Sequence, residues 1–279
     1  LGGRVARESK LPGLSAWIRV IDYRLQQLDR LDNVDVYRES PMTTDDILEY
    51  GFDHVVIATG ASWRSDGVGR WHTHPIEVDS AAEVLTPDVI MAGTRPRGPR
   101  VVLFDDDHYY LGAVIAELLA KEGYAVTLVT PVPQVSQWTT NTMEAHRIRA
   151  RIIEAGVEVR TDTAVTAVSS NGVTTACRFT GRTGHLDADA VVMVTARLPH
   201  DELYTELHSR SDDWSAAGVR GVTGIGDAWA PSTIAAAVWS GHRFAEELDA
   251  PRNDDPVPFR REVTQMSIEP IFGSPAPVS

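Results

Sequence analysis

Apolar residues recur along this chain in two rhythms, and each change of rhythm marks an element. From Trp17 to Leu31 they fall at Trp17, Val20, Ile21, Leu25, Leu28 and Leu31, with arginines and glutamines between them. That spacing predicts an amphipathic helix. Val34 to Tyr37 reads as a short strand. Thr43-Thr44-Asp45-Asp46 predicts a helix start, with Thr43 as the cap and Asp46 three residues on. His54 to Ala58 (HVVIA) is an uninterrupted apolar run, which predicts a buried strand ending in Thr59-Gly60-Ala61. Residues 62–100 are rich in Gly, Pro, Trp and His and read as a connector with one short helix after Pro87.

A second unit opens at Val101. VVLFD predicts a strand, Leu111 to Lys121 a helix ended by Gly123, and Ala125 to Thr130 a second strand. This is a βαβ pattern. Thr142 to Ala155 predicts another helix, capped by Asn141 or Thr142. Val157 to Arg160, Ala164 to Ser169, Val173 to Phe179 and Leu186 to Thr195 predict strands, with Asn171-Gly172 as a hairpin turn. Asp201 to Ser209 reads as helix, Val219 to Gly224 as strand, and Thr233 to Leu248 as a long helix. The Pro-rich tail after Pro251 is expected to run extended over the surface.

The 279 residues suffice for one large or two modest domains, and 43% apolar with 23% charged content is ordinary for a globular protein. A net charge of −13 argues against nucleic-acid binding and against anionic membranes. A solvated acidic surface explains it as well as an acidic docking face does. Cys177 is the only cysteine, which excludes a disulfide framework or a four-cysteine cluster within the chain. The expectation for it is a buried, inert thiol in a reducing cytoplasm. No apolar run is long enough to span a membrane. The chain begins Leu1-Gly2-Gly3 without a methionine, and the expectation is a piece of a longer protein.

The chemistry concentrates at two places. Val219 to Gly241 runs from an apolar strand through Gly224-Ile225-Gly226-Asp227 into a small-residue helix. Glycines there permit close backbone approach to a bulky ligand. Asp227 is placed to accept from ribose-type hydroxyls, and the helix that follows offers N–H groups to a phosphate. This reads as the closing half of a flavin- or ADP-binding site. Paired with Thr59-Gly60, it has the order expected if one domain is inserted into another.

The other place is the turn after Val101. A dinucleotide site needs Gly-x-Gly-x-x-Gly there, but the frame reads Asp107-His108-Tyr109-Tyr110-Leu111-Gly112. Only the packing glycine, Gly112, is kept. Asp105, Asp106 and Asp107 set negative charge beside a pyrophosphate, and Tyr109 fills its space. At ~4 Å and an effective dielectric near 20, each like-charge pair costs roughly 4 kcal/mol. The second strand also ends at Thr130 without an acid for a ribose. The expectation is a nucleotide-type unit that binds no NAD(P)H, with an unusual live site as the rival. Asp105 to Asp107 with His108 converge poorly as metal ligands, because neighbouring strand residues point to opposite sides. Trp71-His72-Thr73-His74 reads as a surface loop. Trp63, Trp71, Trp138, Trp229 and Trp239 read as packing residues, with Trp229 a possible ligand neighbour. No nucleophile constellation stands out.

The stretches LGGRVARESKLPGLSAW, ESPMTTDDILEYGFDHVVIATGASWR, VVLFDDDHYYLGAVIAELLAKEGYAVTLVTP, VVMVTARLP and GIGDAWAPSTIAAAVWSG resemble, in this order, the C-terminal part of the trimethylamine, dimethylamine and histamine dehydrogenase family, nearest its histamine-oxidising members. The resemblance implies an amine dehydrogenase with an N-terminal β/α barrel outside this chain, which holds FMN and a 4Fe-4S cluster. It implies electron transfer to an electron-transferring flavoprotein or similar acceptor, and a homodimer. It also implies ADP, or FAD, in this region. The ligand positions it carries over are Gly2, Gly3 and Arg4, in the loop after an upstream strand, with Thr59, Gly60, Gly226 and Asp227. It carries over no catalytic and no metal-binding residue.

The resulting expectation is an α/β fold of two Rossmann-like, glutathione-reductase-like domains. Residues 1–90 and 200–279 would form an incomplete ADP/FAD-type domain lacking its N-terminal βαβ, with 91–199 a degenerate NAD(P)-type domain inserted in it. Such a chain is expected to be inactive alone and poorly stable, because the strands beside the missing one would expose unpaired edges. The competing readings are an NAD(P)H-dependent flavin and iron–sulfur reductase like the dienoyl-CoA reductases, which needs glycines at Asp107 and Tyr109, and a non-catalytic nucleotide-binding or docking module.

Overall fold

The computed structural model describes residues 1–248; the expected extended tail after Pro251 lies outside the described residues. The chain opens with helices α1 (Gly3–Glu8), α2 (Ile18–Leu28) and α3 (Thr44–Tyr50), then strands β1 (His54–Ile57), β2 (Ala61–Trp63), β3 (Glu77–Val78) and β4 (Val84–Leu85), and helix α4 (Pro87–Met91). Next come β5 (Arg100–Asp105), α5 (Tyr110–Lys121), β6 (Ala125–Val129), α6 (Ala145–Glu154), β7 (Glu158–Arg160), β8 (Thr163–Ser169), β9 (Gly172–Cys177), β10 (Thr183–Asp187) and β11 (Ala190–Val194). The last stretch contains β12 (Arg197–Pro199), α7 (Glu202–Ser209), α8 (Trp214–Ala217), β13 (Gly221–Gly224) and α9 (Ile234–Glu247).

The centre is an open parallel sheet in the order β4-β11-β5-β6-β7. Its middle strands are mostly apolar, as strands covered on both faces are. Alternation divides the side chains of β5 between the two faces. Val101 and Leu103 pack with Ile115, Leu119, Leu128 and Ile152 on the helical side. Val102 and Phe104 pack with Met193, Val165 and Val173 on the other, under the sheet β10-β9-β8-β3. Gly112 lets α5 approach the end of β5: a Cβ there would stand 2.6 Å from the Asp105 Cγ.

The fold differs from the two Rossmann-like domains that the sequence predicts. Residues 1–90 and 200–279 do not build a second Rossmann-like sheet. Among the described residues they pair with each other only as β1 with β13, in parallel, while β2 pairs antiparallel with β12 from the 91–199 part. These pairs are too narrow for a layer with helices on both sides. In β1 only Ile57 is buried, so HVVIA is not the buried strand its apolarity predicts. Two further strands of this portion, β3 and β4, pair instead with β8 and β11, so the connector read over 62–100 is partly sheet.

Other local expectations shift for physical reasons. Val34 to Tyr37 forms no strand: among the described residues no strand pairs with it, and Tyr37 is 79% exposed. Gly2, Gly3 and Arg4 lie at the start of α1, not in a loop. Leu186 to Thr195 breaks into β10 and β11. Between them Asp189 turns aside to accept from the backbone and guanidinium of Arg100. The helix expected from Thr142 starts at Ala145, after a 3-10 turn at Gln137–Thr140 that takes Asn141 as its own C-cap. Cys177 is half-buried, not buried. The capping box stands as read: Thr43 N donates to Asp46 at 2.7 Å and Asp46 N to Thr43 Oγ1 at 3.3 Å.

Two substitutions test this packing by urea denaturation. Ile115→Ala empties a fully buried position and is expected to cost roughly 2–5 kcal/mol. Thr43→Ala removes the cap and is expected to cost about 1 kcal/mol. A loss under ~0.5 kcal/mol for Ile115→Ala would contradict the described core.

Candidate functional site

The C-terminal ends of β5 and β11, the head of α5, α1 and the start of α9 enclose a cleft of about 520 Å³. Sheet geometry makes this the place for chemistry, since strand ends and helix starts converge there. Its floor is the turn after β5. Asp106 N and Asp107 N both donate to Val194 O, at 2.8 and 3.1 Å, which folds the acidic triplet back across β11. Asp105 and Asp106 are fully buried, whereas Asp107 and Tyr109 line the cleft. Asp105 Oδ1 accepts from His108 N at 3.1 Å, and Asp106 Oδ2 from Trp71 N at 2.8 Å. His108 Nε2 stands 3.2 Å from Asp106 Oδ1. Burial pushes the Asp105 carboxyl up to about 7, opposed by His108 and reinforced by Asp107. Burial also raises Asp107, opposed chiefly by Arg70.

A chain of charges crosses the cleft wall. Tyr110 donates its hydroxyl to Glu8, whose carboxyl burial raises against the opposing pull of Arg4. Arg4 Nε lies 3.1 Å from Glu8 Oε1, and Arg4 Nη1 3.0 Å from Asp227 Oδ2. Arg197 Nη1 reaches the same oxygen at 3.0 Å, while Asp227 Oδ1 accepts from Ser232 N at 3.0 Å. Ser232 O accepts from both arginines, at 2.9 and 2.8 Å. Asp227 therefore binds α1, β12 and the head of α9 into one junction.

The sequence-derived ligand positions are brought only partly together. Arg4 and Asp227 meet directly. Gly226 lies against α9, where an added Cβ would stand 3.6 Å from Ala237 Cβ, and its N–H donates to Ser240 Oγ at 3.0 Å. Thr59 and Gly60 sit instead by His200: Thr59 donates its hydroxyl to His200 O, and His200 N donates to Gly60 O at 2.9 Å. Gly3 and Gly60 have open space where a side chain would stand, as do Gly93, Gly123, Gly156 and Gly181, and neither lines the cleft. Gly2, by contrast, packs on Ile21.

Sequence reasoning missed Arg70, Tyr110, Trp138 and Arg197. Each works through a residue distant in the chain, so no local spacing marks it. Trp138 and Trp229 do not serve as packing residues; they are 51% and 60% exposed. Trp138 carries the Arg70 guanidinium 5.3 Å from its ring centre, and Trp229 meets Tyr204 edge-on. In the Trp71–His74 loop, His72 Nε2 is 2.7 Å from Val165 O and His74 pairs with Thr73, so the two imidazoles do not converge. Among the described residues no three His, Cys, Asp or Glu side chains gather as a metal site, and no helix is long and apolar enough to cross a membrane. One cysteine does not fit a four-cysteine cluster.

The buried acid gives a pH test. Folding raises the Asp105 value above that of the unfolded chain, so the folded state holds this proton more tightly. That contribution is complete below about pH 4 and is lost as pH rises through about 7. Urea melts between these limits should show wild-type stability declining relative to Asp105→Asn. Parallel profiles would show that Asp105 ionises as in the unfolded chain.

Comparison with known proteins supplies the relationship. Residues 85–184 match the family described as the OYE-like second alpha/beta domain. This match replaces the Rossmann-like, glutathione-reductase-like class expected from the sequence. The chain is 34% identical over 94% of its length to dimethylamine dehydrogenase of Hyphomicrobium sp. (strain x), of which it spans 39%. It superposes on histamine dehydrogenase from Rhizobium sp. 4-9 with a TM-score of 0.91 and 50% identity, covering 95% of this chain and 41% of that one. On 6-hydroxypseudooxynicotine amine oxidase from Pseudomonas geniculata N1 the TM-score is 0.82 and the identity 42%, covering 86% of this chain and 36% of that one. The chain is thus homologous to dimethylamine and histamine dehydrogenases, and it spans about two fifths of their length.

Proposed function

We propose that this chain is the C-terminal, non-catalytic part of a flavin-dependent amine dehydrogenase. The observation that carries the reading is the 50% identity to histamine dehydrogenase over 95% of the chain. In this reading, FMN, the 4Fe-4S cluster and the amine pocket belong to an N-terminal barrel of the same protein. Electrons leave to an electron-transferring flavoprotein or similar acceptor, and the protein is a cytoplasmic homodimer. The single cysteine and the absence of a nucleophile constellation in the sequence support placing the redox groups elsewhere.

Within the chain, residues 1–90 with 200–279 serve as the part that holds ADP or FAD, and 91–199 as a part that holds no pyridine nucleotide. Gly2, Gly3, Arg4, Thr59, Gly60, Gly226 and Asp227 are the proposed contacts. Both Asp227 oxygens already accept from Arg4, Arg197 and Ser232, so its part is to fix the walls, with any ribose hydroxyl sharing an engaged carboxylate. The Asp107 carboxylate and the Tyr109 ring in the cleft wall support the lack of a pyridine nucleotide. An anionic pyrophosphate gains nothing beside a carboxylate.

The protein carrying this chain, assayed with histamine and dimethylamine and an artificial electron acceptor, is expected to oxidise one of them. It is expected not to oxidise NADH, and residues 1–279 alone are expected to turn over neither amine. Amine turnover by residues 1–279 alone, or NADH oxidation by the whole protein, would overturn the reading.

A further inference from the structure

Ser62 and His200 stand 138 positions apart in the chain, and the antiparallel pairing of β2 with β12 brings them together. Neither lines the cleft. Ser62 Oγ lies 2.5 Å from His200 Nε2, and His200 Nδ1 lies 3.2 Å from Thr59 O. The second contact fixes the sense of the first. A carbonyl oxygen only accepts, so Nδ1 carries the ring proton, and the neutral imidazole then presents its lone pair at Nε2. Ser62 therefore donates its hydroxyl to a base whose other nitrogen is already engaged.

The base is held through its backbone as well. His200 N donates to Gly60 O at 2.9 Å, and Thr59 donates its hydroxyl to His200 O. A serine hydrogen-bonded to a base, with that base oriented by a third group, is the arrangement that activates a nucleophile. Here a backbone carbonyl stands where the commoner form has a carboxylate. Ser62 is exposed, and its cross-strand partner Leu198, 50% exposed, offers apolar surface beside it. Helix α7 starts two residues beyond His200 with no side-chain cap, so unpaired N–H groups stand at the same end of the β2–β12 pair as donors to an oxyanion.

We propose that Ser62 is a nucleophile with His200 as its general base, and that it takes the acyl group of small activated carboxylic esters. Ser62 Oγ bonds to the ester carbonyl carbon while its proton passes to His200 Nε2. The bond from that carbon to the leaving oxygen then breaks, and His200 returns the proton to the departing alcohol. Water attacking the acyl carbon by the same route releases the carboxylic acid and restores Ser62. This activity goes beyond the proposed amine oxidation, because it uses no flavin and its reacting groups all lie in this chain.

The protein carrying this chain is treated with 4-nitrophenyl acetate, quenched in acid during the first release of 4-nitrophenolate, digested and mapped by peptide mass. Acetyl is expected on Ser62. His200→Gln keeps a polar side chain but removes the base, and is expected to slow acetylation of Ser62 about hundredfold. Ser62→Ala is expected to abolish the labelled peptide and, since Ser62 is exposed, to keep the wild-type melting temperature. In the wild-type map, acetyl on Lys10, Lys121, Cys177 or His200 without acetyl on Ser62 would overturn the proposal. Equal rates at Ser62 in the wild type and His200→Gln would overturn it too. Neither outcome bears on amine turnover, so failure here is distinguishable from failure of the functional reading.

Discussion

One carboxylate holds the cleft together. Asp227 accepts from Arg4 on α1, from Arg197 on β12 and from the backbone at the head of α9. The Arg4, Arg197 and Asp227 side chains are largely buried, so none of the three charges can be left alone cheaply. Arg4 extends the junction through Glu8 to Tyr110 on α5, and thereby ties the β1–β13 portion to the five-stranded sheet. The walls of the cleft are these same segments, so its shape follows from where the charges must meet.

The elements that were legible in the sequence are those whose cause is local. VVLFD is apolar on both faces because β5 is covered on both, and α5 follows from Leu111, Ile115 and Leu119 on one side. The capping box needs only Thr43 and Asp46. The failures are those that depend on a distant partner. Val34 to Tyr37 has the composition of a strand and nothing to pair with, whereas Glu77–Val78 and Val84–Leu85 are short and unremarkable in sequence yet become strands through β8 and β11. The second Rossmann-like sheet is absent because a motif at each end of the chain does not by itself supply the strands between them.

The site divides in the same way. Asp107 and Tyr109 were readable as positions at the cleft because turn chemistry is local, whereas Asp227, singled out for a ligand hydroxyl, is engaged by Arg4, Arg197 and Ser232 N. The partners of Asp227 were not readable: Arg4 stands 228 positions from Ser232, with which it shares the junction. Arg4 itself was singled out as a ligand contact, and the structure assigns it to Glu8 and Asp227. The acidic triplet was expected to splay as a strand does. Instead Val194 O gathers two of its N–H groups, so Asp105 and Asp106 are buried and only Asp107 faces the cleft.

The central claim is that Asp227 and the arginines act as one unit. A double-mutant cycle of Arg197→Met and Asp227→Asn, read by urea denaturation, measures their coupling directly. The account predicts a coupling energy of about 1–3 kcal/mol, with either single change costing nearly as much as both together. Additive losses, within about 0.5 kcal/mol, would show that the pair contributes nothing beyond its separate parts and would contradict it.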